Sequence, residues 1–252
     1  MINVLITGSQ GFIGLNIIAL LNKSDDIQIS EFKRGDTYLE LEPRVLAADY
    51  IIHLAGEVRP SSSNEQFTSS NLGLTEDIVD ILTKNKKCTP IIFTSTIHAE
   101  NPTHIYGKTK RSAELLIERY SSEYNVKCQI YRLPHVFGEG CKPNYNSVIS
   151  TWMFNSVNGL EINVYDRSIK MTYCYVQDVV KQFVDIIFNQ SIDTHIYCVP
   201  SKNYHITLGE VVDYINEFKE SNEFISFSAK DEFKSKLAIT YMSYHKEYND
   251  KK

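Results

Sequence analysis

The stretch INVLITGSQGFIG, residues 2–14, decides the fold, because an apolar run leads directly into Gly8, Gly11 and Gly14. The whole sequence contains 11 glycines in 252 residues, so three glycines at a regular spacing are unusual for this chain. Apolar side chains with a helical period follow over residues 12–22, which predicts a strand, a tight turn and a helix in succession. At such a junction the first glycine permits the turn, the second lets a pyrophosphate approach the backbone, and the third lets the helix pack closely on the strand.

The start of that helix is the second part of the prediction. Its first turn presents unpaired backbone N–H groups and the positive end of the helix dipole, which together favour a phosphate. Ser9, Phe12 and Ile13 lie between the glycines and complete a candidate phosphate-binding loop. Because the spacing is GxxGxxG and not GxGxxG, a glycine-rich turn without a ligand is the alternative that the rest of the sequence has to exclude.

Composition and charge exclude several classes of protein. The chain is 42% hydrophobic and 23% charged, as is usual for a globular domain. A net charge of −5 argues against general binding of nucleic acid or anionic membranes, which require a basic surface. No apolar stretch approaches the roughly 20 residues that span a bilayer, and no secretory leader is recognisable, so we expect a cytoplasmic protein. The five cysteines have irregular spacings that predict neither a disulfide framework nor a metal site.

Short apolar runs alternate with longer segments of helical period, which is typical of βαβ units around a parallel sheet. Strands are predicted at 2–6, 27–32, 50–54, 90–95, 127–133 and 195–199, and further helices at 71–86 and 106–123. Thr207, followed three residues later by Glu210, predicts a capped helix near the C-terminus, and the polar last dozen residues are expected to fray. The predicted fold class is therefore α/β, a Rossmann-like, doubly wound parallel sheet with a small C-terminal lobe.

The end of strand 27–32 indicates which cofactor the chain binds. An enzyme that uses NAD usually places an acidic residue here for the ribose 2′-hydroxyl. Glu31 is nearby, but Lys33 and Arg34 follow it, and a basic pair suits the 2′-phosphate of NADP. NADP(H) is therefore the favoured cofactor, with a solvated pair of loop charges as the alternative. Small residues at the end of strand 50–54 let the backbone lie against a flat cofactor, and the candidates there are Leu54, Ala55 and Gly56.

The stretch STIHAENPTHIYGKTK, residues 95–110, contains the candidate catalytic residues. Tyr106 and Lys110 are four positions apart at the start of a predicted helix, so their side chains share one face. A neighbouring ammonium lowers the pKa of a phenol from its usual value of about 10, which would let Tyr106 exchange a proton with a substrate oxygen. We also expect Lys110 to bind the ribose of a nicotinamide cofactor, and Thr96 or Ser95 to hold the substrate carbonyl. An ordinary surface helix is the alternative for the YxxxK spacing alone.

The motifs TGSQGFIG, HLAG, TST and YGKTK, in this order, resemble those of the extended short-chain dehydrogenase/reductase family, whose members mostly act on nucleotide-activated sugars. The stretches YRLPHVFGEG and YCYVQDVV are similar to that family's entry into the substrate lobe and to a helix start that carries an aspartate, here Asp178. HLAGEVRP, YRLPHVFGEGCKPNYNSVIS and ITLGEVVDYINEFK resemble the reductase domain of bacterial capsular-polysaccharide enzymes that make N-acetyl-L-fucosamine precursors. The resemblance covers roughly residues 1–215.

The resemblance implies an activity and a catalytic set. The expected reaction is the NADPH-dependent reduction of the C-4 ketone of a UDP-linked 4-keto-6-deoxy-(2-acetamido)hexose, with Thr96, Tyr106 and Lys110 as catalytic residues. Three departures from the family pattern are expected. We expect no cupin domain of the kind that those capsular enzymes carry, and we expect the short segment between strands 27–32 and 50–54 to lack the family's additional strand and its adenine-contacting aspartate. The loop CKPNYNS takes the place of the glycine-proline turn that is general in sugar-nucleotide epimerases.

The resemblance also implies a division of the chain. Residues 1–140 are expected to form the NADP-binding Rossmann domain, with sheet elements returning around 173–200. Residues 141–252 are expected to form mainly the substrate-binding lobe. A homodimer through helices 71–86 and 106–123 is expected as well.

Two groups of polar residues are candidates for acting on the substrate. The loop CKPNYNS offers a cation, amides and an aromatic face for a diphosphate and a uracil, and charged loop residues elsewhere are weaker candidates. The substrate-binding candidates are Arg59, His135, Lys142, Asn144, Asn146 and Arg167. His98 and Cys141 form a separate hypothesis, in which a titratable pair moves protons at the carbons beside the 4-keto group.

Three alternatives to a simple reductase follow. The hypothesis on His98 and Cys141 predicts a bifunctional 3-epimerase/4-reductase. A nucleotide-sugar epimerase or dehydratase that retains NAD is distinguished from both by the consumption of stoichiometric NADPH. A catalytically idle, NADP-sensing scaffold is the non-enzymatic alternative, and the complete set of Thr96, Tyr106 and Lys110 argues against it.

Overall fold

The computed structural model describes residues 1–59, 61–189, 195–220 and 231–249. In chain order their helices and strands are β1 (Ile2–Thr7), α1 (Phe12–Leu21), β2 (Ile27–Phe32), α2 (Tyr38–Ala47), β3 (Tyr50–His53), α3 (Asn64–Thr68), α4 (Leu74–Lys84), β4 (Ile91–Thr96), α5 (Ile105–Tyr124), β5 (Gln129–Leu133), β6 (His135–Phe137), α6 (Val148–Val157), β7 (Lys170–Tyr175), α7 (Val176–Asn189), β8 (Tyr197–Cys198), β9 (Tyr204–Thr207), α8 (Leu208–Glu220) and α9 (Glu232–Asn249). Two compact units result, Met1–Leu133 with Val180–Pro200, and Pro134–Val179 with Ser201–Lys252.

The first unit contains a parallel sheet, whose six strands in the described residues have the order β2-β1-β3-β4-β5-β8. Every predicted strand is present, with limits that differ from the prediction by at most two residues. The strand order reverses at β1, since β2 lies on one side of it and β3 on the other. In open α/β sheets this reversal creates the ligand-binding crevice at the carboxyl ends of the strands. The predicted Rossmann-like fold class is confirmed.

The apolar runs form strands because helices cover the sheet on both faces, as is usual for parallel sheets. Val4, Leu5 and Ile6 of β1 are fully buried, and so are Ile51 and Ile52 of β3. Burying one such side chain contributes about 1.5–3 kcal/mol relative to leaving it exposed. The core therefore fixes the strands so that the loops at their carboxyl ends are held in place.

The helix predicted at 71–86 begins earlier than expected. α3 and α4 are joined by a π-helical segment, Ser69–Gly73, so helical structure already starts at Asn64. The start is fixed by Ser63 and Gln66, whose side chains each bond the other's backbone amide. The sequence prediction missed this part, and it also missed α2, which begins with a similar capping box at Thr37.

The second unit contains the sheet β6-β7-β9, in which β6 and β7 are parallel and β7 and β9 are antiparallel. Its core is rich in aromatic side chains, among them Phe137, Tyr173 and Phe233. The capping box predicted at the start of α8 is confirmed, because the Glu210 carboxylate accepts hydrogen bonds from the Thr207 amide at 2.9 Å and from the Thr207 hydroxyl at 2.6 Å.

The expectation that the last dozen residues fray is wrong for the described part of them. α9 continues to Asn249, and Tyr241 and Tyr244 of this helix are buried in the core of the second unit. Tyrosine side chains at helical spacing cover apolar surface while their hydroxyls find polar partners, which the polar composition of this segment concealed. Residues 250–252 lie outside the described residues. None of the helices in the described part of the chain has the length and apolar character that crossing a membrane requires.

Candidate active site

The glycine loop, residues 7–14, has the close backbone contacts that its sequence predicts. Gly8 has a φ of +69°, and a Cβ there would lie 2.8 Å from the backbone nitrogen of Ala55. A Cβ on Gly14 would lie 2.4 Å from the carbonyl oxygen of Gly8. No side chain fits at either position without a shift of the backbone. The loop is thus held between β1, β3 and the first turn of α1.

The start of α1 fits a pyrophosphate. The helix begins after Gly11, with no side-chain cap and no acidic residue in its first turn. The amides of Phe12, Ile13 and Gly14 occupy the positions that lack partners inside a helix, and they favour an anion. The hydroxyl of Ser9 is buried and has no hydrogen-bond partner in the described residues. A nicotinamide dinucleotide would supply the acceptor that these donors lack.

A cavity of about 390 Å³ follows the end of β2, within the range of roughly 300–1,000 Å³ that is typical of small-molecule sites. It lies next to the glycine loop, because the Gly8 amide donates to the carbonyl of Phe32, which lines the cavity, at 2.9 Å. Lys33 and Arg34 also line it, where the sequence analysis expected a 2′-phosphate.

Arg34 forms an ion pair with Glu57 that the sequence does not predict. Its guanidinium lies 3.1 Å from the carboxylate of Glu57, which is buried although most of the Arg34 side chain is exposed. Glu57 also accepts hydrogen bonds from Arg59, at 3.0 and 2.8 Å, and from the amides of Val58 and Arg59. These bonds lower the pKa of Glu57 to about 2, and the bond from the Arg59 side chain contributes the most. Arg59, which the sequence suggests as a substrate-binding residue, thus forms an ion pair with Glu57 in this structure.

The loop after β3 is held by polar contacts, some of them with α5, the helix that carries Tyr106 and Lys110. Leu54 and Ala55 donate their amides to Thr7, and a Cβ on Gly56 would lie 2.7 Å from Oδ1 of Asn71 and 3.1 Å from Nζ of Lys110. Asn71 lies in the π-helical segment, is fully buried and bonds both backbone groups of Glu57 and the hydroxyl of Thr109. Nothing in its sequence context distinguishes Asn71 from other helical asparagines.

His53, at the end of β3, is a core histidine, as an imidazole on a buried strand suggests. Its two ring nitrogens bond the hydroxyls of Thr7 at 2.6 Å and Thr75 at 2.9 Å. Burial lowers the pKa of His53 to about 3, so the ring is neutral at physiological pH.

Lys110 is buried on α5, with only 3% of its surface exposed. Its ammonium donates to the carbonyl of Thr94 at 2.9 Å and lies over the ring of Phe93. Burial lowers the pKa of Lys110 to about 8, and the nearby Glu114 opposes the decrease. Lys110 therefore remains mainly protonated at neutral pH.

Tyr106 lies one turn before Lys110 and is half-buried. Burial raises the pKa of Tyr106, and hydrogen bonding with the side chain of Thr96 opposes the rise. The sequence predicts that Lys110 lowers this pKa. In the described structure burial outweighs the contributions that lower it and the ammonium donates to Thr94, so the effect of Lys110 on the phenolate stays a prediction for the cofactor-bound enzyme. Tyr106 is therefore a phenol that keeps its proton at neutral pH.

The choice that the sequence left open between Ser95 and Thr96 follows from their partners. Ser95 donates its hydroxyl to Glu114 at 2.5 Å, and Glu114 is fully buried and also bonded to Arg132 and Arg111. Thr96 accepts instead from the amide of His98 at 3.3 Å, and its side chain acts to lower the pKa of Tyr106. Thr96 is therefore the better candidate for a group that contacts substrate.

Two histidines lie beside the tyrosine. The ring of His98 is centred 6.4 Å from the Tyr106 ring, and the ring of His104 stacks parallel to it at 6.2 Å. Burial and then the neighbouring His104 lower the pKa of His98. His104 carried no signal in the sequence analysis, yet its Nδ1 accepts from the Gly107 amide at 3.3 Å and caps α5. Because histidine is not among the residues that N-cap positions prefer, the sequence offers no signal for this role.

The remaining candidates belong to the second unit. Cys141 is buried, which raises the pKa of its thiol, so a thiolate base is not favoured there. Lys142, Asn144 and Asn146 are exposed in the loop before α6, and Asn144 has a φ of +55°. His135 packs against the ring of Tyr173. Arg167 is exposed and bonds Asp213 at 2.6 Å.

The fold is that of a dinucleotide-binding protein, and α5 carries Tyr106 and Lys110 one turn apart. The model of the NAD dependent epimerase/dehydratase family matches residues 4–199. The chain belongs to this family, which confirms the resemblance to extended short-chain dehydrogenases/reductases.

Individual relatives are similar over most of this chain. The UDP-2-acetamido-2,6-beta-L-arabino-hexul-4-ose reductase of Pseudomonas aeruginosa is 31% identical over 220 residues, which are 87% of this chain and 58% of that protein. The capsular polysaccharide assembling protein CapF of Staphylococcus aureus is 36% identical, with a TM-score of 0.83 over 96% of this chain and 65% of that one. This chain therefore spans about three fifths of both relatives. A UDP-glucuronic acid 4-epimerase from Bacillus cereus, solved with UDP-glucuronic acid and NAD, has a TM-score of 0.84 over 98% of this chain and all of that one. At 15% identity it is similar in fold alone.

Proposed function

We propose that this chain is an NADPH-dependent reductase of the C-4 ketone of a UDP-linked 4-keto-6-deoxy-(2-acetamido)hexose. The observation that carries the proposal is the position of Lys110 against the loop after β3, where a Cβ on Gly56 would lie 3.1 Å from its ammonium, with Tyr106 one turn before it on α5. The similarity to the Pseudomonas reductase supports the choice of a keto sugar as substrate. When bound, the cofactor supplies the hydride.

Tyr106 and Lys110 have the protonation states that the reduction of a ketone requires. Because burial raises the pKa of Tyr106, the phenol keeps its proton and can donate it to the ketone oxygen as hydride arrives at the carbon. The Thr96 hydroxyl donates a hydrogen bond to the same oxygen. The Lys110 ammonium, protonated at neutral pH, stabilises the phenolate that remains.

The cofactor preference rests on basic residues at the cavity. Lys33 and Arg34 would bind the 2′-phosphate, and the glycine loop would bind the pyrophosphate. On the substrate side Lys142, Asn144 and Asn146 remain candidates for the UDP group. A homodimer through α4 and α5 remains a prediction that light scattering in solution tests.

The decisive experiment supplies the substrate enzymatically. UDP-GlcNAc, a 4,6-dehydratase/5-epimerase and NADPH are incubated with the protein, NADPH consumption is followed by absorbance, and the product sugar is identified by NMR. We expect stoichiometric consumption and a 4-hydroxy product. Tyr106→Phe should bind NADPH and fail to oxidise it. Turnover by this variant at the wild-type rate, or no NADPH consumption by the wild type, would contradict the proposal.

A combined 3-epimerase/4-reductase is the second candidate, and the position of His98 favours it. The lowered pKa of His98 leaves a neutral imidazole beside Tyr106, which is the form of a base that removes a proton next to a ketone. In heavy water the reductase alone leaves C-3 unlabelled, whereas the bifunctional enzyme introduces deuterium there. Loss of this label in His98→Ala, with retention in Cys141→Ala, would assign the base.

A further inference from the structure

The cavity after β2 is lined by side chains of two chemical kinds. Lys33 and Arg34 are cations, and donors of this type suit a phosphate. Phe32, Tyr38 and Leu74 contribute rings and apolar surface, and carboxylates line the cavity as well. Apolar walls with a few oriented polar groups are typical of a pocket that recognises a planar base.

Two carboxylates line this cavity, and they differ in whether they already have partners. Asp36 accepts from the amide of Lys33 at 3.1 Å and pairs with Arg44 at 2.5 Å. Asp77, on α4, has no hydrogen bond or ion pair within the described residues. Its charged neighbours Asp80 and Lys84 pair with each other at 3.2 Å.

The environment of Asp77 makes an external donor favourable. The side chain is partly buried, and burial followed by the charge of Asp80 raises the pKa of Asp77. Its partial burial reduces the solvation of the carboxylate, so a ligand that donates a hydrogen bond to it gains affinity. An ionised carboxylate only accepts, which excludes phosphate and favours an amino group.

We propose that Asp77 recognises the purine base of the dinucleotide by accepting a hydrogen bond from the exocyclic amino group of adenine, with Tyr38 and Leu74 against the base. This rests on the proposed dinucleotide cofactor. The segment between β2 and β3 contains α2 and not the additional strand on which the family carries its adenine-contacting aspartate. In this proposal the carboxylate that contacts adenine is that of Asp77, which comes from α4. Asp77 thereby makes the cavity selective for adenine.

The test compares NADP⁺ with its hypoxanthine analogue, in which a carbonyl oxygen replaces the amino group. Affinities are measured by titration calorimetry, without turnover. The wild type should prefer NADP⁺ by about 10-fold or more, because the analogue places an acceptor against the carboxylate. Asp77→Ala should bind the two dinucleotides with similar affinity. Asp77→Asn should bind the analogue more tightly than the wild type does, since its amide can donate to the carbonyl.

Glu76→Gln is the matched control. This exposed carboxylate is the preceding residue of the same helix and does not line the cavity, so its removal should leave the base preference unchanged. Thermal unfolding of each variant verifies the fold. Equal binding of both dinucleotides by the wild type, or a preference that persists in Asp77→Ala, would overturn the assignment of Asp77. Failure of the wild type to bind either dinucleotide would overturn the proposed cofactor, and this inference with it.

Discussion

The guanidinium of Arg34 lies 3.1 Å from the carboxylate of Glu57, so the loop after β2 is joined to the loop after β3 by a charge pair. Glu57 is buried and contacts a second arginine, Arg59, whereas 71% of the Arg34 side chain is exposed. The buried carboxylate therefore orients an otherwise mobile cation at the cavity where a 2′-phosphate is expected.

Arg34→Ala should weaken the binding of NADP⁺ by about 10- to 100-fold and that of NAD⁺ by less than threefold, since a charge-assisted hydrogen bond to phosphate is lost. Calorimetric titration of both dinucleotides measures the ratio. Arg119→Ala, which removes an exposed cation of α5 that does not line the cavity, is the control for a general change of charge. Equal losses for the two dinucleotides would show that Arg34 does not read the 2′-phosphate.

Glu57 should make stability depend on pH in the acid range. Its folded-state pKa of about 2 lies below the unfolded value of 4.5, so its stabilisation is complete above 4.5 and is lost as the pH falls towards 2. The difference in unfolding free energy between the wild type and Glu57→Gln should therefore shrink over this range. Urea denaturation between pH 6 and pH 2.5 measures this difference. A constant difference would contradict the role of the charge.

The alkaline limb of the pH–rate profile should reflect the deprotonation of Lys110. Its pKa of about 8 predicts that kcat/KM falls as the pH rises through this value, because the neutral amine no longer stabilises the phenolate. Glu114→Gln removes a charge that raises this pKa, so the limb should move to lower pH by roughly half to one unit. Glu118→Gln is the matched control, since Glu118 also pairs with Arg111 and should leave the limb in place. An unmoved limb in Glu114→Gln would exclude this coupling.

The glycine loop should not tolerate side chains. Gly14→Ala places a Cβ 2.4 Å from the Gly8 carbonyl, so we expect at least a tenfold loss of NADP⁺ affinity through displacement of the loop. Gly73→Ala is the control, because its nearest atom is 3.9 Å away and its backbone is right-handed helical. That variant should bind the cofactor normally and be more stable by about 0.4–1 kcal/mol. Normal cofactor binding by Gly14→Ala would contradict the close-packed loop.

The parts of the molecule that follow from local chemistry could be predicted from the sequence. Apolar runs such as the one at Val4–Ile6 identified the strands, and glycines at 8, 11 and 14 identified the turn, because period and conformational freedom are local properties. The YxxxK spacing placed Tyr106 and Lys110 on one helix face for the same reason.

The parts that depend on tertiary neighbours could not be predicted. Asn71 and Glu114 hold the site through partners 14 to 38 residues away in the chain, as in the contacts of Asn71 with Glu57 and Thr109. The direction of the Tyr106 pKa depends on burial, which spacing does not report. The prediction for the tyrosines of α9 was wrong for a similar reason, since their burial depends on what the helix packs against.

The π-helical segment Ser69–Gly73 has a consequence for how this chain tolerates deletions. A regular helix turns by about 100° per residue, and a wider π turn accommodates one residue more than an α turn. Because the wider turn takes up the additional residue, deleting one residue inside the segment can restore a regular helix with Phe67 still facing the Tyr106 ring, whose centre lies 6.1 Å from its own. The same deletion in α4 has no wide turn to absorb it, so it would rotate the residues before it by about 100° relative to those that follow. Phe67 would then turn away from Tyr106 and Asn71 would lose Glu57, by an offset of phase and not by the loss of any reactive group.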